Sequence, residues 1–281
     1  MELSNIKTIE NILKKYGFSF KKSLGQNFLI NPSVCPKIAD FACDKEMGVL
    51  EIGPGIGVLT KELSNTAKRV VAIELDERLK PVLPETLADC KNVEIIFGDA
   101  MKLDLAKTIK EKFADCREVC VCANLPYYIT SPIIMMLLES KLPISNITVM
   151  VQKEAAERLC AKVGSREAGA VTVAVAYYAE AEILFKVDRY SFMPPPNVES
   201  AVIKLNIRKN PPVTVEDEKK FFSLVKACFA QRRKTLVNTV SNTTSYTKES
   251  IRNALNTLNL SETVRAEQLT IEQLAALSNL L

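Results

Sequence analysis

Short β-branched runs alternate with longer helical stretches along most of this chain, and few architectures satisfy that alternation. The runs are Gly48–Ile52, Arg69–Glu74, Val93–Phe97, Val119–Ala123, Ile147–Val151, Ala181–Lys186 and Ala201–Ile207. Helical patterns fall between them at Val58–Asn65, Pro132–Glu139 and Gln152–Val163. Strands separated by helices build βαβ units and a mainly parallel sheet. Pro194-Pro195-Pro196 joins the last two strands and is too short for a helical crossover, so an antiparallel hairpin is expected there. The expectation is a doubly wound α/β sheet of seven strands.

Asn210-Pro211-Pro212 breaks this pattern, and the chain beyond it reads as wholly helical. Phe221, Val225, Cys228 and Phe229 share one helical face, and Arg232-Arg233-Lys234 comes after them. Thr270-Ile271-Glu272-Gln273 has the form of a capping box opening a last helix. The expected division is therefore 1–209 for the sheet domain and 210–281 for a small all-α domain. Charge respects the same division. The chain carries +4 overall, yet twelve basic residues face seven acidic ones from Ala201 onward, while the rest balances at 25 against 26. A polyanion would be met by the C-terminal part.

The sequence of 281 residues contains no histidine. That removes Ser-His-Asp triads, Cys-His pairs and His-bearing zinc protease motifs. Its eight cysteines form no C-x-x-C pair, and Cys120 and Cys122 alternate along an apolar strand as small hydrophobes. Met1 to Tyr16 is charged throughout, without a signal core, and no apolar run approaches the ~20 residues of a membrane span. A reduced cytoplasmic protein with no bound metal and no membrane contact is expected, and nothing demands more than a monomer.

Glu51-Ile52-Gly53-Pro54-Gly55-Ile56-Gly57 succeeds a strand and opens a helix. Glycines in such a turn bring backbone close to a ligand. The G-x-G-x-G spacing is one residue short of the dinucleotide fingerprint, and its proline removes an N–H that a pyrophosphate would use. Glu74 ends the second strand 21 positions after Gly53, where an acid can accept both hydroxyls of a ribose. Asp99 comes after the third strand, close to where an adenine amino group would lie. Acids at strand ends are also ordinary solvated caps, but three such sites in register describe a nucleoside cleft.

Asn124-Leu125-Pro126-Tyr127 ends the fourth strand. The lone pair of adenine N6 is delocalised into its ring and is a poor nucleophile. The Asn124 side-chain oxygen and a backbone carbonyl of Leu125 or Pro126 could hold the two amino hydrogens. The nitrogen would then pyramidalise and aim its lone pair at a sulfonium methyl. Tyr127 could stack on the flipped base and attract developing positive charge through its face. No strong base is needed, because the proton becomes acidic once the methyl has transferred. An N-x-P-Y turn whose tyrosine merely packs in the core is the plain alternative.

Four segments in order resemble the signatures of the rRNA adenine N6-dimethyltransferase family, in its bacterial small-subunit branch. They are Ser23-Leu24-Gly25-Gln26-Asn27-Phe28-Leu29, Glu51-Ile52-Gly53-Pro54-Gly55, Asn124-Leu125-Pro126-Tyr127-Tyr128-Ile129-Thr130-Ser131-Pro132 and Phe192-Met193-Pro194-Pro195-Pro196-Asn197-Val198-Glu199-Ser200. The resemblance runs from about Ser23 to Lys234, and Arg265-Ala266-Glu267 is similar to the C-terminal lobe. It implies a Rossmann-like methyltransferase sheet and S-adenosylmethionine as methyl donor, with S-adenosylhomocysteine as product. Asn27, Leu29, Gly53, Glu74, Asp99 and Asn124 match cofactor-contacting positions, with Gly55 in the same turn. Tyr127 and Phe192 match positions that sandwich the target adenine. The chain departs from the pattern at Ala168, where an aromatic precedes Gly169 in the family.

The implied reaction is dimethylation of N6 on two adjacent adenosines in a hairpin loop near the 3′ end of 16S rRNA, within a small ribosomal subunit precursor. Loop bases are partly unstacked, so flipping them costs less than opening a duplex. Arg232, Arg233 and Lys234, with Lys21 and Lys22, are the candidate phosphate contacts; a solvated helix face is the alternative for such a run. Three other readings compete. One is a large-subunit rRNA adenine methyltransferase, and another is an assembly factor in which RNA binding outweighs catalysis. The third, a nicotinamide dehydrogenase, lacks the third glycine spacing.

Overall fold

The computed structural model describes residues 2–17 and 28–281. Asn27, Lys21 and Lys22 lie outside the described residues, as do Ser23 to Gln26.

The chain divides into two compact units, residues 1–156 with 182–207 and residues 157–181 with 208–281. In the first unit, α1 (Ile6–Lys15) is capped by the Asn5 side chain, which accepts from the Lys7 and Thr8 N–H groups. Its apolar face, Ile9, Ile12 and Leu13, packs with Leu79, Leu83 and Leu87. Then come β1 (Phe28–Leu29), α2 (Val34–Ala42), β2 (Gly48–Ile52), α3 (Val58–Thr66), β3 (Arg69–Glu74), α4 (Leu83–Thr86), β4 (Val93–Phe97), α5 (Leu105–Lys112), β5 (Val119–Asn124), α6 (Thr130–Glu139), β6 (Asn146–Gln152) and α7 (Lys153–Leu159). After α8 (Ala170–Tyr178) stand β7 (Ala179–Val187), β8 (Phe192–Met193) and β9 (Ser200–Ile207).

Seven strands form one sheet in the order β4-β3-β2-β5-β6-β9-β7. The first five of these are parallel, and β9 runs antiparallel to β6. The expected seven-stranded α/β sheet is therefore present, and β2, β3 and β4 keep their expected bounds. β2 is buried along its whole length, as a parallel strand covered on both faces must be. Cys120 and Cys122 are fully buried in β5. From β2 the chain moves outward through β3 to β4, then returns to place β5 on the other side of β2. That reversal leaves a crevice beyond the carboxyl ends of β2 and β5. Register aligns the crevice rim: Ile52 lies opposite both Ile73 and Ala123.

Two parts of this unit differ from expectation. Between β7 and β9 the chain does not turn directly through the prolines, because β8 leaves to pair with β1 in a separate two-stranded antiparallel ladder. Leu29 stands opposite Phe192 there, and the Ile30 N–H donates to the Ser191 carbonyl at 2.8 Å. Helix α7 also stops at Leu159 rather than Val163.

The second unit is helical: α8 joins α9 (Glu218–Cys228), α10 (Leu236–Thr243), α11 (Lys248–Thr257) and α12 (Ile271–Leu280). The expected boundary at 209 is corrected by α8. Its Val173 and Tyr177 belong to the same core as Phe221, Leu236, Ile251 and Leu274. Tyr177 meets Phe221 and Phe222 with ring centroids 5.6 and 5.2 Å apart, the range favoured by aromatic pairs. Phe221, Val225 and Cys228 are buried as expected, and the Thr270–Gln273 capping box opens α12. Ala168 is fully buried, with its N–H donating to Ser165. Among the described residues, no helix is long and apolar enough to cross a membrane.

Candidate functional site

The glycine turn uses all three glycines in the left-handed region: Gly53 at φ 71°, Gly55 at 59° and Gly57 at 93°. Side chains rarely adopt that backbone, and at Gly57 a Cβ would also meet Leu87 at 2.8 Å. At Gly53 a Cβ would point into open space, so the turn leaves room where a ligand would press against backbone. The Gly57 N–H closes the turn on the Pro54 carbonyl at 2.9 Å.

Glu74 is fixed beside this turn. One carboxylate oxygen accepts the Gly55 N–H at 3.1 Å and the other accepts the Asp76 N–H at 2.7 Å. Burial pushes its carboxyl above the usual range, the Asp76 charge adds to this, and the two N–H groups oppose it. Each oxygen keeps a lone pair for a hydroxyl. The Gly98 N–H donates to the Glu74 carbonyl at 2.8 Å, which brings the end of β4 against β3 and sets Asp99 on the rim. Asp99 Oδ1 accepts the Met101 N–H at 3.0 Å. Its other oxygen lies 3.6 Å from the exposed Lys102 ammonium, a pair of little strength.

One crevice gathers these groups with Leu29, Gly53, Gly55, Asn124, Leu125, Pro126, Tyr127 and Phe192. Every expected cofactor and base position within the described residues therefore lines a single site. Phe192 is only 3% exposed and packs among Leu29, Val187 and Val202, so it contributes a wall to the crevice. Tyr127 is half-buried, and its hydroxyl lies 2.7 Å from that of Ser200. Burial raises its phenol pKa and the Ser200 hydroxyl opposes the rise, so the group stays neutral. The Pro126 carbonyl already accepts the Ile129 N–H and the Thr130 hydroxyl, each at 3.1 Å. That occupies both of its lone pairs.

The lining has a charge pattern that sequence reading missed. Glu51, Glu74, Asp76 and Asp99 all border the crevice, and no Lys or Arg does among the described residues. Glu51 is 1% exposed, and among the described residues neither its Oε2 nor the Thr60 hydroxyl has a hydrogen-bond partner. Burial drives the Glu51 carboxyl up to about 8, the Glu74 charge adds to this, and the nearby Thr60 hydroxyl offsets part of it. Glu51 holds its proton and Asp76 is paired with the Arg78 guanidinium. Glu74 and Asp99 are left as the acidic groups of the rim, which disfavour a pyrophosphate and suit a ligand bearing a positive centre. The lone pairs left on Glu74 would suit the hydroxyls of a ribose, and the acidic rim a cationic donor such as S-adenosylmethionine.

The basic cluster of the second unit is placed differently from expectation. Arg232, Arg233 and Lys234 lie in the turn between α9 and α10 rather than on a helix, and all three are exposed. The Arg232 guanidinium donates to the Arg166 carbonyl at 2.6 Å. Arg166 and Arg265 line a shallow concavity of the same unit with Ser261, Thr263 and Gln268. Arg265 belongs to the segment that the resemblance had marked, whereas Arg166, in the α7–α8 loop, did not stand out in the sequence.

Residues 17–281 match the family model described as ribosomal RNA adenine dimethylase. The chain is 52% identical over 276 residues to a ribosomal RNA small subunit methyltransferase A of Bacillus pumilus, covering 97% of this chain and 94% of that one. A protein of the same description from a Geobacillus species is 52% identical over 274 residues, 96% of this chain and 94% of its own length. Among solved structures, a dimethyladenosine transferase from Plasmodium falciparum superposes with a TM-score of 0.72 at 29% identity, covering 89% of this chain and 95% of its own. The 23S rRNA methyltransferase ErmE gives 0.68 at 28% identity, covering 91% and 99%.

Proposed function

Since the chain belongs to the ribosomal RNA adenine dimethylase family, we propose that it dimethylates N6 of two adjacent adenosines in a hairpin loop near the 3′ end of 16S rRNA, with S-adenosylmethionine as donor. The chain is an adenine dimethyltransferase of small-subunit ribosomal RNA. The observation that supports the finer reading is the single crevice lined by Glu74 and Asp99 together with Asn124-Leu125-Pro126-Tyr127.

The bound donor supplies an electrophilic methyl on a cationic sulfur. Glu74 would hold the ribose through its hydroxyls, and Asp99 would accept from the amino group of the donor's adenine. At the target base, the Asn124 oxygen takes one N6 hydrogen. The second goes to the Leu125 carbonyl, because the Pro126 carbonyl is already filled. Tyr127 and the wall at Phe192 hold the base between them. As the N–C bond forms, the C–S bond would break and its electron pair would stay on sulfur, leaving S-adenosylhomocysteine. The N6 proton, acidic once the methyl has arrived, would then pass to water, so no histidine is required.

Glu74→Ala should weaken donor binding by about 1–3 kcal/mol, since hydrogen bonds to a charged acceptor are lost. Calorimetry on the folded variant checks this, and unchanged affinity would take Glu74 out of the site.

The exposed arginines and lysine of the second unit would bind phosphates, which carry no base identity. Replacing Arg232, Arg233 and Lys234 by alanine should weaken RNA binding similarly for different sequences and leave donor binding intact. Each lost phosphate contact should lower the slope of log affinity against log salt by about 0.7–0.9. A salt titration on one small-subunit RNA fragment reads this directly. An unchanged slope would return the cluster to solvent.

On this reading the protein acts in the cytoplasm, as a monomer, on a precursor of the small subunit. Mass spectrometry of 16S rRNA from an undermethylated strain, after incubation with protein and labelled donor, tests the whole. Label absent from adjacent adenosines near the 3′ end would reject it.

A further inference from the structure

Tyr127 sits on the irregular segment between β5 and α6, whose hydrogen bonds are local ones around the Pro126 carbonyl. Its ring reaches into the crevice, and its hydroxyl meets the Ser200 hydroxyl at 2.7 Å. Ser200 is of a different character. It is fully buried, opens β9 and lies opposite Gln152 in the β6–β9 ladder. The residue before it is doubly held: the Glu199 carbonyl accepts the Lys153 N–H at 3.0 Å, and its carboxylate pairs with the Lys153 ammonium at 2.7 Å. One end of the contact therefore belongs to the sheet and the other to a loop that carries the chemistry.

We propose that Ser200 is a positioning residue for methyl transfer, anchoring the Tyr127 ring to the sheet through the hydroxyl–hydroxyl contact so that the target base meets a stacking face already in place. A tyrosine ring has two side-chain torsions. Holding its far end removes the swing that would otherwise have to be frozen when the base arrives, and a preorganised group loses less on binding. Ser200 is not part of the crevice lining, and it acts through Tyr127. The anchor also gives the phenol a purpose that stacking alone does not, since a phenyl ring offers the same face. This inference rests on the base-binding reading of the crevice. If that reading were wrong, the unaltered protein would fail to methylate the RNA, whereas failure of the inference would appear only in the variants.

The experiment is a double-mutant cycle with Ser200→Ala, Tyr127→Phe and both together, assayed on undermethylated small subunits at saturating donor. Each single change should lower kcat for the RNA about tenfold and leave donor affinity within twofold. The double variant should be no worse than either single one, because one contact is lost in all three. Ser200→Thr, which keeps the hydroxyl, should restore most of the turnover. Losses that multiply to about a hundredfold in the double variant would overturn the proposal, as would near-normal turnover by Ser200→Ala. A Ser200→Ala protein that loses donor affinity and melting temperature in step with kcat would also overturn it, by showing a general structural role.

Discussion

Asn124→Ala will fold, bind S-adenosylmethionine and lose at least about a hundredfold in kcat, or roughly 3 kcal/mol of transition-state stabilisation. Asn124 is the last residue of β5, aligned with Met150 of the neighbouring strand, so its backbone is set by the sheet and survives loss of the side chain. Its oxygen matters little to an adenine whose amino group is planar. It matters most when that nitrogen becomes pyramidal and its hydrogens sharpen as donors. An interaction made mainly in the transition state shows in turnover rather than in affinity. Single-turnover methylation at saturating donor, beside calorimetric donor binding, separates the two. Turnover near that of the unaltered protein would end the proposed mechanism.

The second large effect concerns stability. Glu51 is buried with one oxygen unpartnered among the described residues, and its carboxyl holds its proton up to about 8. In the unfolded chain the same group loses its proton near the ordinary value of 4.5. Between these two pH values the folded protein binds more protons than the unfolded one, so stability falls as pH rises through that window and levels off above it. At neutral pH the cost is about 3 kcal/mol. Glu51→Gln keeps the shape without the titration and should recover much of that cost. Denaturant unfolding of the ligand-free protein at pH 5 and pH 8 checks this. The unaltered protein should lose stability relative to the variant between these points. A difference that stays flat would mean that Glu51 titrates alike in both states.

Much of the sheet was legible because its strands are buried on both faces and read as unbroken β-branched runs. The glycine turn was legible too, since three glycines at that spacing answer to three positive φ angles. Helix α8 was not. Its sequence, Ala-Val-Thr-Val-Ala-Val-Ala-Tyr-Tyr, has no polar face, and its Thr172, Val173, Ala174, Val175 and Tyr177 are all buried, so no helical period shows. The β1–β8 ladder escaped because two residues a strand carry no pattern, and the residues it pairs are far apart in sequence. Arg232, Arg233 and Lys234 look like a continuation of α9. The helix instead ends before them, and Thr235 caps α10 with its side chain. Of the site, the residue types and their strand ends were readable. The isolation of Glu51, the filled Pro126 carbonyl and the Ser200 anchor were not, since each depends on what tertiary folding brings near.

Helix α8 finds its packing partners in α9 to α12, which are made later in the chain. As the polypeptide emerges from its N-terminus, Val173 and Tyr177 therefore wait for Phe221, Leu236 and Ile251 to be synthesised. At about 5–20 residues per second the delay lasts several seconds. During that interval a helix with no polar face has nothing of its own core to cover it. A nascent chain stalled shortly after Ile207 would hold the whole parallel sheet and still present this apolar segment bare, a natural point for a chaperone to bind or for aggregation to start.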